Sequence, residues 1–302
     1  MASRTKLLAL LLTFALAAAC GGDSQNTNGE SSGGDSTQEF NESFAGAKAY
    51  PVFVSSELTV GSNRFLIGLL DDNDAPIGDP GIDVEIAFYD LARSDTEPVS
   101  RQDMGFIWAV PKQRGLYVTR ATFDRAGKWG AEVNITGGDL DESVKGNFTV
   151  KESGTTPSPG DRVPASDTPT ADDVNDLAEI STDPNPDPRF YELSIAGAVK
   201  AAKPFVVVFS TPKFCTSQVC GPTLDIVKSL ADDFAGVNFV HVEVYTNLDD
   251  PANLEPVPAT KEWGLPSEPW VFVVDSKGRL AAEYEGVLGA QELRTELQRQ
   301  TS

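Results

Sequence analysis

The chain is poor in the residues that bind soft metals. Of its 302 residues, one is histidine, three are cysteine and two are methionine. The stretch from 45 to 152 has no histidine, no cysteine and a single methionine, Met104. Because copper sites are built from thiolate, thioether or imidazole ligands, that stretch cannot assemble one. We expect it to act as a spacer or a partner-docking module.

Positive charge is also scarce. The chain has 24 Lys and Arg against 45 Asp and Glu, which gives a formal net charge of −21. Nucleic acid binding requires a surplus of basic side chains to neutralise phosphates, and so does a polybasic contact with anionic lipid. We therefore expect no nucleic acid partner and no electrostatic membrane contact.

The N-terminal apolar run is short. It extends from Leu7 to Leu16 with one interruption, Thr13. A membrane-spanning helix takes about 20 apolar residues, so this run does not suffice. Arg4 and Lys6 precede it, and three alanines lead from it to Cys20. A positive segment, an apolar run and small residues in this order predict a secretory signal peptide.

The end of that run, Leu16-Ala-Ala-Ala-Cys20, resembles a bacterial lipobox, in which the cysteine is diacylated and becomes the mature N-terminus. The resemblance implies a signal peptide over 1–19, a lipid anchor on Cys20 and a flexible polar tether over 20–44. It places the protein on the cell membrane, facing the extracytoplasmic side and held only by the lipid. The alternative is an ordinary signal peptide that happens to end near a cysteine.

Residues 45–152 contain short alternating apolar runs separated by turn residues. Val84–Phe88, Gly115–Phe123 and Trp129–Ile135 are examples. Roughly seven such runs without a helical period predict an antiparallel β-sandwich. The stretch from Gly115 to Trp129 resembles the immunoglobulin-like sandwiches found beside redox and copper proteins in bacterial envelopes.

The pattern changes twice after residue 152. Residues 153–187 are rich in Pro, Ser, Thr and Asp, which predicts a semi-extended linker with one helical turn near 174–180. From 188 to 302, buried strands are predicted at Phe205–Phe209, 238–245 and Trp270–Val274, with helices between and after them. This order predicts a mixed α/β domain.

The α/β domain resembles the thioredoxin superfamily over about 110 residues. The strand Phe205–Phe209 leads through Ser-Thr-Pro-Lys-Phe into Cys215, as the family's first buried strand leads into its active-site loop. The segment Ser267-Glu-Pro-Trp-Val-Phe-Val-Val-Asp275 resembles the family's cis-proline strand, with Pro269 at the proline position. The resemblance implies that Pro269 faces the cysteines and shapes a substrate groove, and that Glu268 lies beside Cys215.

The cysteine spacing departs from the family's C-x-x-C. Here Cys215-Thr-Ser-Gln-Val-Cys220 gives C-x4-C, and Thr223 stands where thioredoxin has its second cysteine. Variation of this kind points towards TlpA-like and peroxiredoxin-type relatives of the fold. The resemblance implies that Cys215 is the nucleophile and Cys220 the resolving cysteine.

Pairing of Cys215 with Cys220 depends on where the helix begins. Residues five apart on one helix have Cα atoms about 8.5 Å apart, whereas disulfides need about 4.4–6.8 Å. Gly221-Pro222 suits the first turn of a helix, so the cysteines are expected in a loop that allows the bond. A fixed structural disulfide is the alternative, although so short a loop gains little stability from closure.

The motif Cys-Thr-x-Gln-x-Cys-Gly also resembles two-cysteine peroxiredoxins of the bacterioferritin-comigratory type, in which the first cysteine attacks peroxide. That family has a proline seven residues before the cysteine, a threonine three before it and an arginine on a later strand. This chain has Val208, Pro212 and Pro269 at those positions. A peroxidase is therefore the second-ranked activity.

A third possibility uses the fold without catalysis. Cys215, Cys220 and His241 form a conceivable copper site, as in Sco-type chaperones, but the family spacing is C-x-x-x-C. A lone histidine is more commonly a core residue paired with a neighbour. An adaptor with an inert disulfide belongs to the same class of alternatives.

The sequence as a whole favours a membrane-anchored extracytoplasmic thiol–disulfide oxidoreductase that acts through the C-x4-C pair. We expect no cofactor and no metal. Its expected partners are extracytoplasmic protein thiols or disulfides and a redox partner of unknown identity. The direction of electron flow is not encoded in these residues.

The anchoring prediction is tested by Cys20→Ser. This substitution removes the thiol that receives the diacyl group, so lipid labelling and membrane retention should be lost. Metabolic labelling with a fatty acid and membrane fractionation measure both. Unchanged labelling and fractionation would refute the lipobox interpretation.

Overall fold

The computed structural model describes Phe40, Phe44 and residues 46–302. The predicted signal peptide, Cys20 and most of the predicted tether lie outside the described residues. Among the helices of the described part, none is long and apolar enough to cross a lipid bilayer.

Residues 46–152, hereafter the β region, form two four-stranded antiparallel sheets. One sheet has the order β1-β2-β6-β5 and the other β4-β3-β7-β8. The strands are β1 (Ala49–Phe53), β2 (Gly61–Asp71), β3 (Asp83–Asp90), β4 (Ser100–Asp103), β5 (Gly105–Val110), β6 (Arg114–Phe123), β7 (Gly127–Gly137) and β8 (Leu140–Val150). The all-β prediction for this region is confirmed.

The two sheets share one apolar core, to which every strand except β4 contributes side chains. Phe65 of β2 and Phe123 of β6 meet Phe88 of β3 edge-on, with ring centroids 5.0 and 5.5 Å apart. Trp129 of β7 is fully buried beside Phe123. The short strand β4 was not predicted, because its polar sequence lacks an apolar alternation.

Residues 153–187, predicted as a linker, pack against the α/β residues that follow. The backbone around Val163 pairs with the start of the last strand, through Val163 N to Gly278 O at 3.1 Å and Leu280 N to Asp161 O at 2.9 Å. The Trp263 indole donates to Ser166 Oγ at 3.2 Å. Two short 3-10 turns occur here, Ala171–Asp173 and Leu177–Glu179. The prolines keep this segment extended, and its polar groups form hydrogen bonds with the α/β region.

Residues 188–302, hereafter the α/β region, contain four helices and six strands. They are α1 (Ile195–Lys200), β9 (Phe205–Phe209), α2 (Cys220–Ala231), β10 (Asn238–Val242), β11 (Tyr245–Thr246), β12 (Glu255–Pro256), α3 (Pro258–Glu262), β13 (Trp270–Val274), β14 (Leu280–Glu285) and α4 (Ala290–Gln300). The main sheet has the order β10-β9-β13-β14, with β10 parallel to β9 and the other pairs antiparallel. This is the mixed α/β arrangement that the sequence predicts.

Strand β9 is buried on both faces, as an uninterrupted apolar sequence requires. Val206 and Val208 pack in a core with α2 and α4, whereas Val207 and Phe209 pack with Trp263 in the opposite layer. The turn from β13 to β14 uses Gly278 at φ +72°, a conformation that glycine adopts without a steric penalty. Because β9 and β13 are antiparallel, the loop after β9 and the loop before β13 lie at the same edge of the sheet.

The β region and the α/β region meet through an ion pair and a small apolar cluster. Arg64 Nε and Nη2 donate to the two carboxylate oxygens of Glu292, each at 2.9 Å. The Arg64 side chain is 5% exposed and that of Glu292 29%. Burial raises the pKa of Glu292, but the Arg64 hydrogen bonds outweigh it, so the pKa is lowered overall. Each region therefore contributes one mostly buried charged side chain to the ion pair, Arg64 from the β region and Glu292 from the α/β region.

Removing one partner of the pair should destabilise the protein. Arg64→Met leaves the Glu292 carboxylate without its cation, and breaking a buried pair costs about 3 kcal/mol or more. Because the pKa of Glu292 is lowered in the fold, this stability exists above its unfolded pKa, roughly 4.3, and disappears as the pH falls through the folded pKa. In urea unfolding at pH 7, Arg64→Met should have a clearly lower free energy of unfolding than the unmodified protein. At pH 3 the difference between the two proteins should be smaller.

The matched control for this prediction is Arg101→Met. Arg101 pairs with Glu85 at 2.7 Å, but both side chains are exposed, so no clear change in urea stability is expected. Equal effects of the two substitutions at pH 7 would contradict the importance of the buried pair.

Candidate functional site

The cysteine pair lies at the start of α2. Cys220 is the first residue of that helix, and Cys215 lies in the loop that precedes it. Because the helix does not include Cys215, the two Cα atoms approach to 6.0 Å, within the range for a disulfide. The Cys215–Cys220 disulfide is formed, which confirms the predicted pairing.

The two sulfurs differ in access and in partners. Cys220 is fully buried, whereas Cys215 is half-buried. The Cys220 backbone N–H donates to Cys215 Sγ at 3.3 Å, and the Ser217 hydroxyl lies 3.2 Å from the same sulfur. Since a disulfide sulfur carries no proton, Ser217 is the donor. An incoming thiol can therefore reach Cys215, and two donors favour negative charge there.

Local sequence explains the shape of this loop. Gln218 adopts φ +64° and turns the chain just before the helix. Pro222 lies in the first turn of α2, where a missing N–H leaves no helical bond unmade. The buried Thr223 donates to Gly286 O at 3.1 Å and so connects α2 to the end of β14. Thr223 thus holds the first turn of α2 against the chain that follows β14.

Pro269 emerges at the same end of the sheet as the cysteine loop. Strand β13 pairs antiparallel with β9 so that Trp270 lies opposite Phe209, and Pro269 immediately precedes Trp270. The Glu268–Pro269 peptide bond is cis, the isomer expected from the family motif. The Pro269 carbonyl accepts from Gly286 N at 2.8 Å. The fold thus brings the proline loop and the cysteine loop to one edge.

Glu268 is half-buried and lies beside the Tyr245 hydroxyl. Burial raises the pKa of its carboxyl, repulsion from Glu243 adds to the rise, and Tyr245 opposes it. The described polar contacts of Cys215 Sγ are with Ser217 and Cys220. Glu268 and Ser217 border the same cleft. The predicted influence of Glu268 on Cys215 thus stays a prediction.

His241 lies in the core, with hydrogen bonds at both ring nitrogens. Nδ1 is 2.7 Å from Tyr191 Oη, and Nε2 is 2.9 Å from Ser210 Oγ. Burial lowers the pKa of His241 to about 4, against a smaller opposing effect of the Ser210 carbonyl. The imidazole is therefore neutral at pH 7, and both of its nitrogens are hydrogen-bonded within the core. Among the described residues, no group of three or more His, Cys, Asp or Glu is arranged to hold a metal ion.

Three residues at the site were missed by the sequence analysis. Arg114, from the β region, donates through Nη1 to Ser217 O at 3.3 Å. Val219, next to Cys220, is buried in an apolar cluster with Leu116 of β6. Ser217 contacts the Cys215 sulfur directly. No local motif indicates Arg114, because about a hundred residues separate it from the loop that it contacts.

Comparison with known proteins gives structural likenesses but no sequence match. No protein-family model matches the chain, and no curated protein sequence matches it either. Among solved structures, a similar chain is MTB DsbF in its mixed oxidized and reduced forms, with 19% sequence identity and a TM-score of 0.27. The match covers 32% of this chain and 81% of that chain.

Glu268→Gln tests whether the carboxylate acts on Cys215. An ionised carboxylate about 5 Å from a thiolate opposes it by about 3 kcal/mol at an effective dielectric near 20. In the reduced protein, the substitution should therefore lower the pKa of Cys215 by as much as about two units and speed its alkylation at pH 7. Thiolate absorbance followed against pH measures the shift.

Glu255→Gln is the control, because Glu255 is exposed on the short strand β12. Its titration curve should match that of the unmodified protein. If the Glu268→Gln curve also matches, the carboxylate does not act on the Cys215 thiolate.

Proposed function

We propose that this chain is a membrane-anchored extracytoplasmic thiol–disulfide oxidoreductase that acts through Cys215 and Cys220. The observation that carries the proposal is the asymmetry of the pair: a reachable Cys215 is bonded to a buried Cys220 at the start of α2. The lipobox-like segment ending at Cys20 supports the anchor and the location. The β region is proposed to be an immunoglobulin-like sandwich, and the α/β region a TlpA-like variant of the thioredoxin fold.

The exchange proceeds through one mixed disulfide. A substrate thiolate attacks Cys215 Sγ, the Cys215–Cys220 bond breaks, and the electron pair leaves on Cys220, which takes up a proton. A second substrate thiolate then attacks the substrate sulfur of the mixed disulfide and releases Cys215. Two electrons pass from the substrate dithiol, which becomes a disulfide, to the protein pair. The reverse sequence, with Cys215 as the nucleophile and Cys220 as the resolving cysteine, reduces a substrate disulfide.

Several features of the site support this chemistry over its alternatives. A structural disulfide has no need of a reachable sulfur with two hydrogen-bond donors. The peroxiredoxin residues that activate peroxide are replaced by Val208, Pro212 and Pro269. A copper site would require a free ring nitrogen, whereas both nitrogens of His241 are bonded within the core.

Single cysteine variants test the proposal. In glutathione buffers, Cys220→Ser should accumulate a stable mixed disulfide on Cys215, because no resolving thiol remains to release it. Cys215→Ser should accumulate little, because Cys220 is buried. Mass spectrometry after acid quenching and alkylation distinguishes the two. The unmodified pair should titrate at a potential above about −300 mV, the range of labile disulfides.

Two outcomes would overturn the proposal. A potential below about −300 mV together with no exchange would indicate a structural disulfide. Consumption of hydrogen peroxide by reduced Cys215 at a rate far above that of free cysteine would indicate a peroxidase instead.

A further inference from the structure

A cleft of about 270 Å³ lies between the cysteine loop, which precedes α2, and the outer face of the β1-β2-β6-β5 sheet. It is bordered by the cysteine loop, the proline loop, the end of β14 and the β region. The apolar residues that line it are Val54, Leu66, Ala109, Leu116, Val219 and Val287. The cleft thus joins the disulfide to a surface that a thioredoxin-like region alone does not possess.

The polar groups that line this cleft already have partners inside the protein. The Glu285 carboxylate accepts from Ser56 N at 2.8 Å and from the Ser267 hydroxyl at 3.0 Å. Arg114 donates to Ser217 O, and Glu268 lies beside Tyr245. The polar side chains at the rim are therefore engaged within the protein, whereas Val54, which is 42% exposed, presents an open apolar side chain to the cleft. An apolar occupant gains most from entering such a cleft.

The size and position of the cleft indicate what the occupant is. A volume of about 270 Å³ is below the range of about 300–1,000 Å³ typical of small-molecule pockets, so it suits a single side chain. Ser217 both lines the cleft and lies 3.2 Å from Cys215 Sγ. A molecule bonded to Cys215 consequently has its neighbouring atoms at the mouth of the cleft.

We propose that this cleft receives an apolar side chain of the protein substrate, next to the cysteine that exchanges with Cys215. The β region then forms one wall of the substrate site and selects cysteines with apolar neighbours. This inference rests on the proposed exchange activity and names its substrate class.

Val54 offers a mild way to test it. Val54 lines the cleft and is 42% exposed, and its backbone N–H bonds to Leu66 O at 2.9 Å whatever the side chain. Val54→Asp places a charge at the apolar wall without opening the core. Val99→Asp is the matched control, because Val99 is 51% exposed and does not line the cleft.

The probes are two short peptides whose single cysteine carries 5-thio-2-nitrobenzoate, with leucine on both sides of the cysteine in one and serine in the other. Reduced Cys215 attacks the peptide sulfur, the mixed disulfide with the peptide forms, and thionitrobenzoate leaves with the electron pair and is followed by its absorbance. The ratio of the two rates is the readout, so a general change in thiol reactivity cancels.

The unmodified full-length protein should react with the leucine peptide about tenfold faster, a factor equivalent to about 1.4 kcal/mol. Val54→Asp should reduce the ratio to about one, Val54→Ser should give an intermediate ratio, and Val99→Asp should keep the tenfold preference. Equal rates in the unmodified protein, or a ratio unaffected by Val54→Asp, would overturn the inference.

The free aromatic disulfide of thionitrobenzoate is the control that distinguishes failure of the cleft inference from failure of the proposed exchange activity. If the reduced protein reacts with it but shows no peptide preference, the cleft inference fails and the proposed exchange activity stands. If Cys215 reacts with neither this disulfide nor the peptides, the proposed function fails, and the inference that rests on it fails too.

Discussion

The position at which α2 begins governs the chemistry of the cysteine pair. If the helix extended back through Cys215, the two Cα atoms would be about 8.5 Å apart and no disulfide would form. Because α2 starts at Cys220, the preceding loop can fold back to a Cα separation of 6.0 Å. The same start buries Cys220 and aims its N–H at the Cys215 sulfur. Pairing, access and thiolate stabilisation are three consequences of one boundary.

That boundary is supported from both regions of the fold. On the α/β side, Thr223 connects the first turn of α2 to Gly286. On the other side, Val219 packs against Leu116, and Arg114 bonds to the Ser217 carbonyl. The loop that holds the disulfide is therefore clamped between a helix and a neighbouring sheet. The Arg64–Glu292 ion pair, whose arginine side chain is buried, also joins the two regions.

The sequence predicts well whatever depends on local periodicity or on a family motif. The apolar runs Phe205–Phe209 and Trp270–Val274 match β9 and β13 in full, and the Glu268–Pro269 bond has the expected isomer. Strand β4 escaped prediction because it pairs through its backbone and has no apolar face to bury. Arg114 escaped because its contact with Ser217 links distant parts of the chain. Tertiary contacts of this kind leave no trace in local spacing.

The residues between the two regions show why composition alone misleads about a linker. Prolines and small polar residues reduce helix and strand formation, and they do so whether or not the chain is packed. Around Val163 the backbone finds partners on Leu280 and Gly278, and Ser166 accepts from Trp263. An extended segment leaves few backbone groups without hydrogen bonds when a neighbouring region supplies their partners. Its path follows the surface of the α/β region that it covers, and that surface is formed by residues distant in the sequence.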